Sequence, residues 1–189
     1  MGLLNKDLLL YVGIPALEAA TLEDQLCGVG SSTPPSGGGA SLNPNGNIFV
    51  FAGSVGNGAD TTEDVLKSFS LPANALDVVG RAVYIYAWGT YANNTNTKAA
   101  KLYFGATSIA AASGNNTSWA LEMVVIKSAA NAQKINSQNI TGTTHGGTTS
   151  AAGAETDTAA ITIKVTGQDT TSANANAIVL NGLYVNFMN

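Results

Sequence analysis

The chain has 189 residues and a mass of 19.1 kDa, a length that suits one domain with a full hydrophobic core. Only 11% of the residues are charged, against about 25% in typical soluble domains, so Asn, Thr, Ser and Gly must form most of the polar surface. The formal net charge is −4 with 8 Lys and Arg residues, which excludes the basic stripe that nucleic-acid binding needs.

Residues 1–46 are predicted to form an N-terminal anchoring arm followed by a linker. Within the arm, Thr21 and Asp24 have the spacing of a helix-capping box. Residues 31–39 (SSTPPSGGG) mix stiff Pro with loose Gly, as linkers do. An apolar arm of this length has to bury its side chains on a neighbouring protein, because ordering it costs conformational entropy. The anchoring side chains are predicted to be Leu8, Leu9, Leu10, Tyr11 and Ile14.

The N-terminal apolar run lacks the features of a secretory signal peptide. Asp7 interrupts the run, and Glu18 stands where a small-residue cleavage site is needed. No apolar run approaches the ~18 residues that span a membrane. Cys27 is the single cysteine, so neither an intrachain disulfide nor a Cys-based zinc site can form. We therefore expect folding in a reducing cytosol and no membrane partner.

From Asn47 onward, short apolar runs alternate with Asn, Gly, Thr and Ser, a pattern typical of an all-β domain. Eight strands without a long helix favour a jelly-roll β-sandwich over residues 47–189, with two sheets packed face to face. Around Asn181 and Gly182, the pattern allows either a hairpin turn or a bulge within one long strand. The predicted strands are residues 47–52, 62–70, 81–91, 98–105, 118–127, 132–140, 159–167 and 177–188.

Residues 82–91 (AVYIYAWGTY) are unusual because both faces of the predicted strand are apolar. The odd-numbered residues from Val83 to Gly89 point one way, and the even-numbered residues from Tyr84 to Thr90 point the other way. An ordinary strand of an antiparallel sheet has one polar face. We therefore expect a second sheet on one face, and another subunit or the chain's own arm on the other. The predicted subunit contacts are Tyr84, Tyr86 and Trp88.

The sequence offers little support for an enzyme. His145 is the only histidine, and it lies in residues 142–158, a long small-residue loop. No serine lies in a nucleophile elbow, so a Ser-His-Asp site has no support. We predict no catalytic residue and no cofactor, and we expect His145 to be a solvated loop residue.

The carboxylates fall into two loose groups, and neither has the spacing of an EF-hand loop. We predict no metal site, and we expect Glu122 to face solvent from its strand. The two groups are Asp60 with Glu63 and Asp64, and Glu155 with Asp157.

Aromatic residues raise the question of sugar stacking. We expect Trp88 and Trp119 to pack in the core or at a subunit interface, since both lie in well-patterned strands. The corner Tyr91–Asn94 is the one place where an aromatic residue flanked by Asn offers a sugar platform. Four further Asn residues open Asn-x-Ser/Thr triplets and are expected in turns, namely Asn93, Asn115, Asn116 and Asn139.

Several runs in residues 60–127 together resemble the β-jelly-roll structural proteins of tailed phages. They are FSLPAN (69–74), AWGTYANNTNTK (87–98), KLYFG (101–105), and the Trp-led strand that follows GNNTSW (114–119). Such proteins occur as capsid decoration (cement) proteins and as tail or head-fibre components. The resemblance implies a trimer, and it implies that the chain ends in one long strand.

The resemblance implies a virion structural protein, and we expect a capsid decoration protein that binds the major capsid protein or another virion protein and clamps neighbouring capsomers. The virion would be assembled in the cytoplasm of the bacterial host. In the alternative, the protein belongs to the tail or to a head fibre, and loops such as residues 142–158 contact a host-surface glycan. A third interpretation is a glycan-binding module of a bacterial enzyme, which needs an attached catalytic domain.

Overall fold

The computed structural model describes residues 47–111, 114–147 and 149–188. These residues belong to one compact unit that spans residues 42–189. The described part of the chain is all-β, with eleven strands and no helix. The predicted arm of residues 1–46, with its anchoring leucines and the capping box at Thr21, lies outside the described residues.

The strands are numbered β1 to β11 in chain order. Their bounds are β1 (Asn47–Gly56), β2 (Asp64–Leu71), β3 (Ala82–Tyr91), β4 (Lys98–Phe104), β5 (Thr107–Ala111), β6 (Ser118–Ala129), β7 (Ala132–Thr141), β8 (Thr144–His145), β9 (Thr149–Gly153), β10 (Ile161–Asp169) and β11 (Ile178–Phe187).

The strands form two antiparallel sheets in a sandwich-like arrangement. The larger sheet has the order β1-β11-β3-β6-β7-β8, and β9 also pairs with β7. The smaller sheet has the order β2-β10-β4-β5. Side chains from both sheets meet in one apolar core, for example Ile85, Leu121 and Val185 from the larger sheet with Leu102 and Val165 from the smaller one. The core therefore lies between the sheets, and each sheet keeps an outer face.

The sequence predicted eight strands, and all eight have a counterpart among the eleven. The count itself was wrong, because β5, β8 and β9 were missed. β8 and β9 lie within residues 142–158, which were expected to be a loop. These strands consist of Thr, Ser, Ala, Gly and one His, so they lack the apolar alternation that marks a strand in a sequence. They form because β7 offers a free edge for backbone pairing.

The segment around Asn181 and Gly182 is a bulge within one strand and not a hairpin turn. β11 runs unbroken from Ile178 to Phe187, and its register against β3 shifts between Leu180 and Gly182. The shift is what a β-bulge produces, since one extra residue enters one strand of the pair. It brings Gly182 directly opposite Trp88 of β3.

The smaller sheet covers one face of β3, as predicted. Val83, Ile85 and Ala87 are fully buried against the core shared with the smaller sheet. Gly89 is also buried, and a side chain there would collide with the ring of Trp119. The opposite face of β3 belongs to the outer face of the larger sheet, where the candidate site lies.

Candidate functional site

Four aromatic side chains lie together on the outer face of the larger sheet. We call Tyr84, Tyr86, Trp88 and Tyr184 the aromatic cluster. Tyr84, Tyr86 and Trp88 follow one another along β3 at the two-residue period of a strand, with ring centroids 6.5 Å and 5.6 Å apart. Tyr184 on the neighbouring β11 lies 5.7 Å from Tyr84, 5.6 Å from Tyr86 and 6.4 Å from Trp88. Each ring therefore supports its neighbours in the tilted arrangements that aromatic pairs prefer.

The aromatic cluster is only partly shielded within the described chain. The three tyrosines are half-buried, and Trp88 is 36% exposed. Val50 and Ile126, at either side of the same outer face, are also exposed. A patch with this many apolar atoms open to water is typical of a contact surface. The sequence placed Tyr84, Tyr86 and Trp88 at a subunit contact, and that assignment stays a prediction.

Trp88 lies over the backbone of the adjacent strand because Gly182 leaves room for it. A Cβ atom at position 182 would overlap the six-membered ring of the indole. The bulge in β11 sets this pairing by placing Gly182 directly across from Trp88. The absence of a side chain at Gly182 thus allows the indole to lie against the backbone of β11.

A polar pair borders the aromatic cluster. Glu122 of β6 is the cross-strand neighbour of Tyr86, and Gln138 of β7 is the neighbour of Glu122. The Gln138 side-chain amide donates a hydrogen bond to the Glu122 carboxylate. Glu122 is half-buried, so the expectation that it simply faces solvent was incomplete. A carboxylate and an amide therefore lie within one strand spacing of exposed rings.

The tyrosine hydroxyls belong to the same polar network. Burial raises the pKa of Tyr84 well above its usual value, and a hydrogen bond with Tyr184 and the charge of Glu122 raise it further. Burial also raises the pKa of Tyr86, with added effects from Tyr184 and Glu122. These hydroxyls therefore stay protonated at neutral pH and can both donate and accept hydrogen bonds.

An open groove of about 410 Å³ lies at the Trp88 end of the aromatic cluster. Its aromatic lining is formed by Trp88, Tyr86 and Tyr184 together with the buried Trp119. Ala120 and Ile140 continue the groove across β6 and β7. Ser118 adds a hydroxyl-bearing residue to the lining. Glu122 and Gln138 each lie two residues along from Ala120 and Ile140 on the same face. The groove thus combines apolar ring surface with hydrogen-bonding groups at its border.

The other aromatic residues have structural roles. Trp119 is buried in the core, as expected, and the centroid of its ring lies 6.3 Å from that of Tyr91. Tyr91 is only 3% exposed, so the corner at Tyr91–Asn94 is not a sugar platform, and this part of the sequence interpretation was wrong. A buried ring has no face left for a ligand.

His145 and the Asn residues were only partly predicted. His145 is exposed, as expected, but it lies in the two-residue strand β8 rather than in a loop. Asn116 has a positive φ of 46°, the backbone geometry that was expected of a turn residue. Asn139 lies within β7, so its assignment to a turn was wrong.

The first group of carboxylates is divided among separate structural contacts. Asp60 accepts hydrogen bonds from the backbone and hydroxyl of Thr62, and Asp64 accepts one from the backbone of Gly58. Glu63 instead reaches the outer face of the smaller sheet, where it accepts hydrogen bonds from Lys101, Tyr103 and Thr166. Burial opposes the charge on Glu63, but these hydrogen bonds outweigh it and lower its pKa to about 2.

Asp157 of the second group forms a buried clamp. Its carboxylate makes a salt bridge with Lys127, and both side chains are almost fully shielded from water. It also accepts hydrogen bonds from the Asn131 backbone at 2.6 Å and from the Gln133 amide at 3.0 Å. Burial opposes ionisation, yet the partners outweigh it and lower the pKa of Asp157. Glu155 accepts a hydrogen bond of 2.7 Å from the backbone N–H of Ala106, in the turn between β4 and β5.

The described ranges contain no group of three or more His, Cys, Asp or Glu side chains that could hold a metal ion. The same ranges contain no helix of the length and apolarity needed to cross a membrane.

The sequence pointed to three of the four rings in the aromatic cluster and missed Tyr184 with the pair Glu122 and Gln138. A signal for Tyr184 was present, because it occupies an outward position in the alternation of β11. The pairing of β11 with β3 brings it next to residues about a hundred positions earlier in the chain. Sequence periodicity gives the face of a residue but not its neighbour on the next strand.

Comparison with known proteins gives little further information. No protein-family model matches the chain, and no curated protein matches it. A crystal structure of a protein of unknown function from Shewanella oneidensis MR-1 is similar, with 9% sequence identity and a TM-score of 0.40. That match covers 77% of this chain and 76% of the other chain. A similarity at this level carries no argument about function.

Proposed function

We propose that the protein is a structural component of a tailed-phage virion, a capsid decoration (cement) protein with a jelly-roll body that associates as a trimer. The exposed aromatic cluster is the observation that carries the proposal, because it gives the body an apolar contact surface on a chain with few charges. Low charge and an apolar outer face are typical of a subunit packed against identical neighbours in an assembly.

The strand pairing supports a jelly roll. Without β7, β8 and β9, eight strands remain. They pair in nested order, so that the first strand pairs with the last, the second with the second-last, and so on inward. The pairs are β1 with β11, β2 with β10, β3 with β6, and β4 with β5. Nested antiparallel pairs are what results when one long hairpin is rolled into two packed sheets, which is the construction of a jelly roll.

The proposed mechanism is mechanical. The apolar side chains predicted in the arm, Leu8, Leu9, Leu10, Tyr11 and Ile14, would dock on the major capsid protein or another virion protein. Each large side chain that becomes fully buried contributes about 1.5–3 kcal/mol. Repeated over a particle, such contacts would hold neighbouring capsomers together, and contacts between bodies through the aromatic cluster would link three arms.

A second candidate function keeps the fold and places the protein on the tail or on a head fibre, where it binds a glycan of the host surface. The groove beside Trp88 favours this candidate, because it joins exposed rings to the carboxylate and amide of Glu122 and Gln138. In the first candidate function another subunit covers the aromatic cluster, whereas in the second a glycan binds there.

Light scattering on the full chain tests the proposed association. We expect the mass of a trimer, and we expect Tyr86→Lys to lower it to that of a monomer, because a charge cannot be buried in an apolar contact without a large cost. Thr162→Lys is the matched control, since Thr162 is exposed on the smaller sheet and should leave the mass unchanged. A full-length monomer would contradict the proposal.

Sedimentation with phage capsids tests the attachment. We expect the full chain to sediment with the particles and a version that begins at Gly46 to remain in the supernatant, still folded by circular dichroism. Attachment of the truncated version would remove the role proposed for the arm.

A further inference from the structure

The groove at the Trp88 end of the aromatic cluster has the chemical character of a sugar-binding subsite. One wall is made by the rings of Trp88, Tyr86 and Tyr184, and Trp88 is the most exposed of them. Gly182 lets the indole lie against the backbone of β11, and 36% of Trp88 stays exposed to a ligand. Such a surface matches the apolar C–H face of a pyranose ring, which is desolvated when it stacks.

The border of the groove supplies the hydrogen-bonding groups that pyranose hydroxyls need. The Glu122 carboxylate has acceptor sites beyond the one used by Gln138, and the Gln138 amide has a second N–H and a carbonyl oxygen. The hydroxyl of Tyr184, a groove residue, adds a further donor and acceptor beside the rings. Adjacent donors and acceptors of this kind suit vicinal hydroxyl groups.

The charged residues around the groove indicate whether the bound sugar is neutral or anionic. Glu122 lies two residues along β6 from the groove residue Ala120, and Lys134 lies four residues from Gln138, farther along β7. The whole chain has a net charge of −4. An anionic sugar would meet the like charge of Glu122 on β6, whereas His145, the cross-strand partner of Ile140, lies one strand beyond Ile140 on β8, so the geometry favours a neutral sugar.

We infer that this groove binds one neutral hexopyranose unit of a glycan, which stacks on Trp88 and donates hydroxyl hydrogen bonds to Glu122. The inference deepens the second candidate function and rests on it for a biological role. It excludes a subunit contact through the whole aromatic cluster and leaves room only for one centred on Tyr84, because Tyr84 and Trp88 lie four residues, or about 13 Å, apart on β3. A subunit contact that covers Trp88 would exclude the sugar.

Tryptophan fluorescence of the full chain provides the test. The chain has two tryptophans and both line the groove, but Trp119 is only 1% exposed, so direct contact with a probe falls on Trp88. The probes are neutral oligosaccharides of glucose, galactose and mannose, with sialyllactose as the charged comparison. We expect at least one neutral probe to bind with a Kd of about 10 mM or lower, and sialyllactose to bind more weakly.

Variants separate the sugar subsite from a general loss of apolar surface. Isothermal titration calorimetry is used here, because one variant lacks the fluorophore. Trp88→Ala should weaken binding about tenfold or more, and Glu122→Gln should weaken it several-fold with an unchanged melting temperature. Ile126→Ala is the control, since Ile126 is exposed on the same outer face but is not among the groove residues, and it should bind as the wild type does.

Three results would overturn the inference. They are no binding of any neutral probe, wild-type binding by Trp88→Ala, or protection of Trp88 from acrylamide quenching in the free protein. The last result would show that another copy covers the groove. In that case the proposed decoration function would stand and the sugar subsite would be wrong. Sugar binding by a protein that does not attach to capsids would instead support the subsite and contradict the decoration function.

Discussion

Trp88 of β3 lies over Gly182 of β11, and the absence of a side chain at position 182 allows this contact. The pairing depends on the bulge between Leu180 and Gly182, which shifts the register of β11 by one residue. Without the shift, a residue with a side chain would face the indole. A local irregularity of one strand thus determines how the aromatic cluster presents its most exposed ring.

Gly182→Ala should displace the Trp88 indole. A Cβ would overlap the ring, so the indole must rotate toward solvent, and overpacking of this kind costs about 1–3 kcal/mol of unfolding free energy. Chemical denaturation and a red shift of tryptophan emission are the measurements. Gly147→Ala is the control, because no atom lies within 4 Å of a Cβ at that position. Emission identical to that of the wild type would show that Gly182 does not position the ring.

The two tryptophans should respond differently to truncation. Trp119→Ala leaves a cavity in the core and should lower the unfolding free energy by about 3–5 kcal/mol. Trp88→Ala removes a partly exposed ring and should cost less, about 1–2 kcal/mol. Urea denaturation of both variants checks the order. Equal losses would mean that the outer face is as tightly packed as the core.

Asp157→Ala should be the most damaging of the carboxylate changes. It leaves Lys127 buried without its partner and frees the backbone of Asn131, for an expected loss of about 3–5 kcal/mol. Asp77→Ala breaks the exposed salt bridge with Arg81 and is the matched control, with an expected loss below about 1 kcal/mol. Thermal melts of both variants give the comparison. A small loss of stability in Asp157→Ala would mean that water takes over the contacts of Asp157 with Lys127 and the Asn131 backbone.

Glu63 should make the stability of the wild type depend on pH in the acid range. Its folded pKa is about 2 and lies below the ordinary value of 4.5, so the stabilisation is present above pH 4.5 and is lost as the pH falls toward 2. Because the group is partly exposed and screened by solvent, we expect a contribution of about 1–2 kcal/mol. Urea denaturation between pH 2 and 6 measures it. Glu63→Gln should remove this part of the dependence, and an unchanged profile would contradict the assignment.

The strands with strong alternation could be located in the sequence. β3, β6 and β10 place apolar residues at every second position, and the core side of β3 was assigned correctly. The same reasoning failed for β5, β8 and β9, because a strand with at most one large apolar residue carries no such signal. Their formation depends on backbone pairing with a neighbouring edge.

The sequence by itself determined the all-β class, the positions of eight strands, the low charge and the row of rings Tyr84, Tyr86 and Trp88 along β3. Local periodicity and composition are enough for these properties, because they depend on residues that are close in the chain. The tertiary structure alone decided that Tyr184 joins those rings, that Glu122 and Gln138 border them, and that Asp157 pairs with Lys127. These contacts join residues on different strands, and only the register of the sheets brings them within reach of one another.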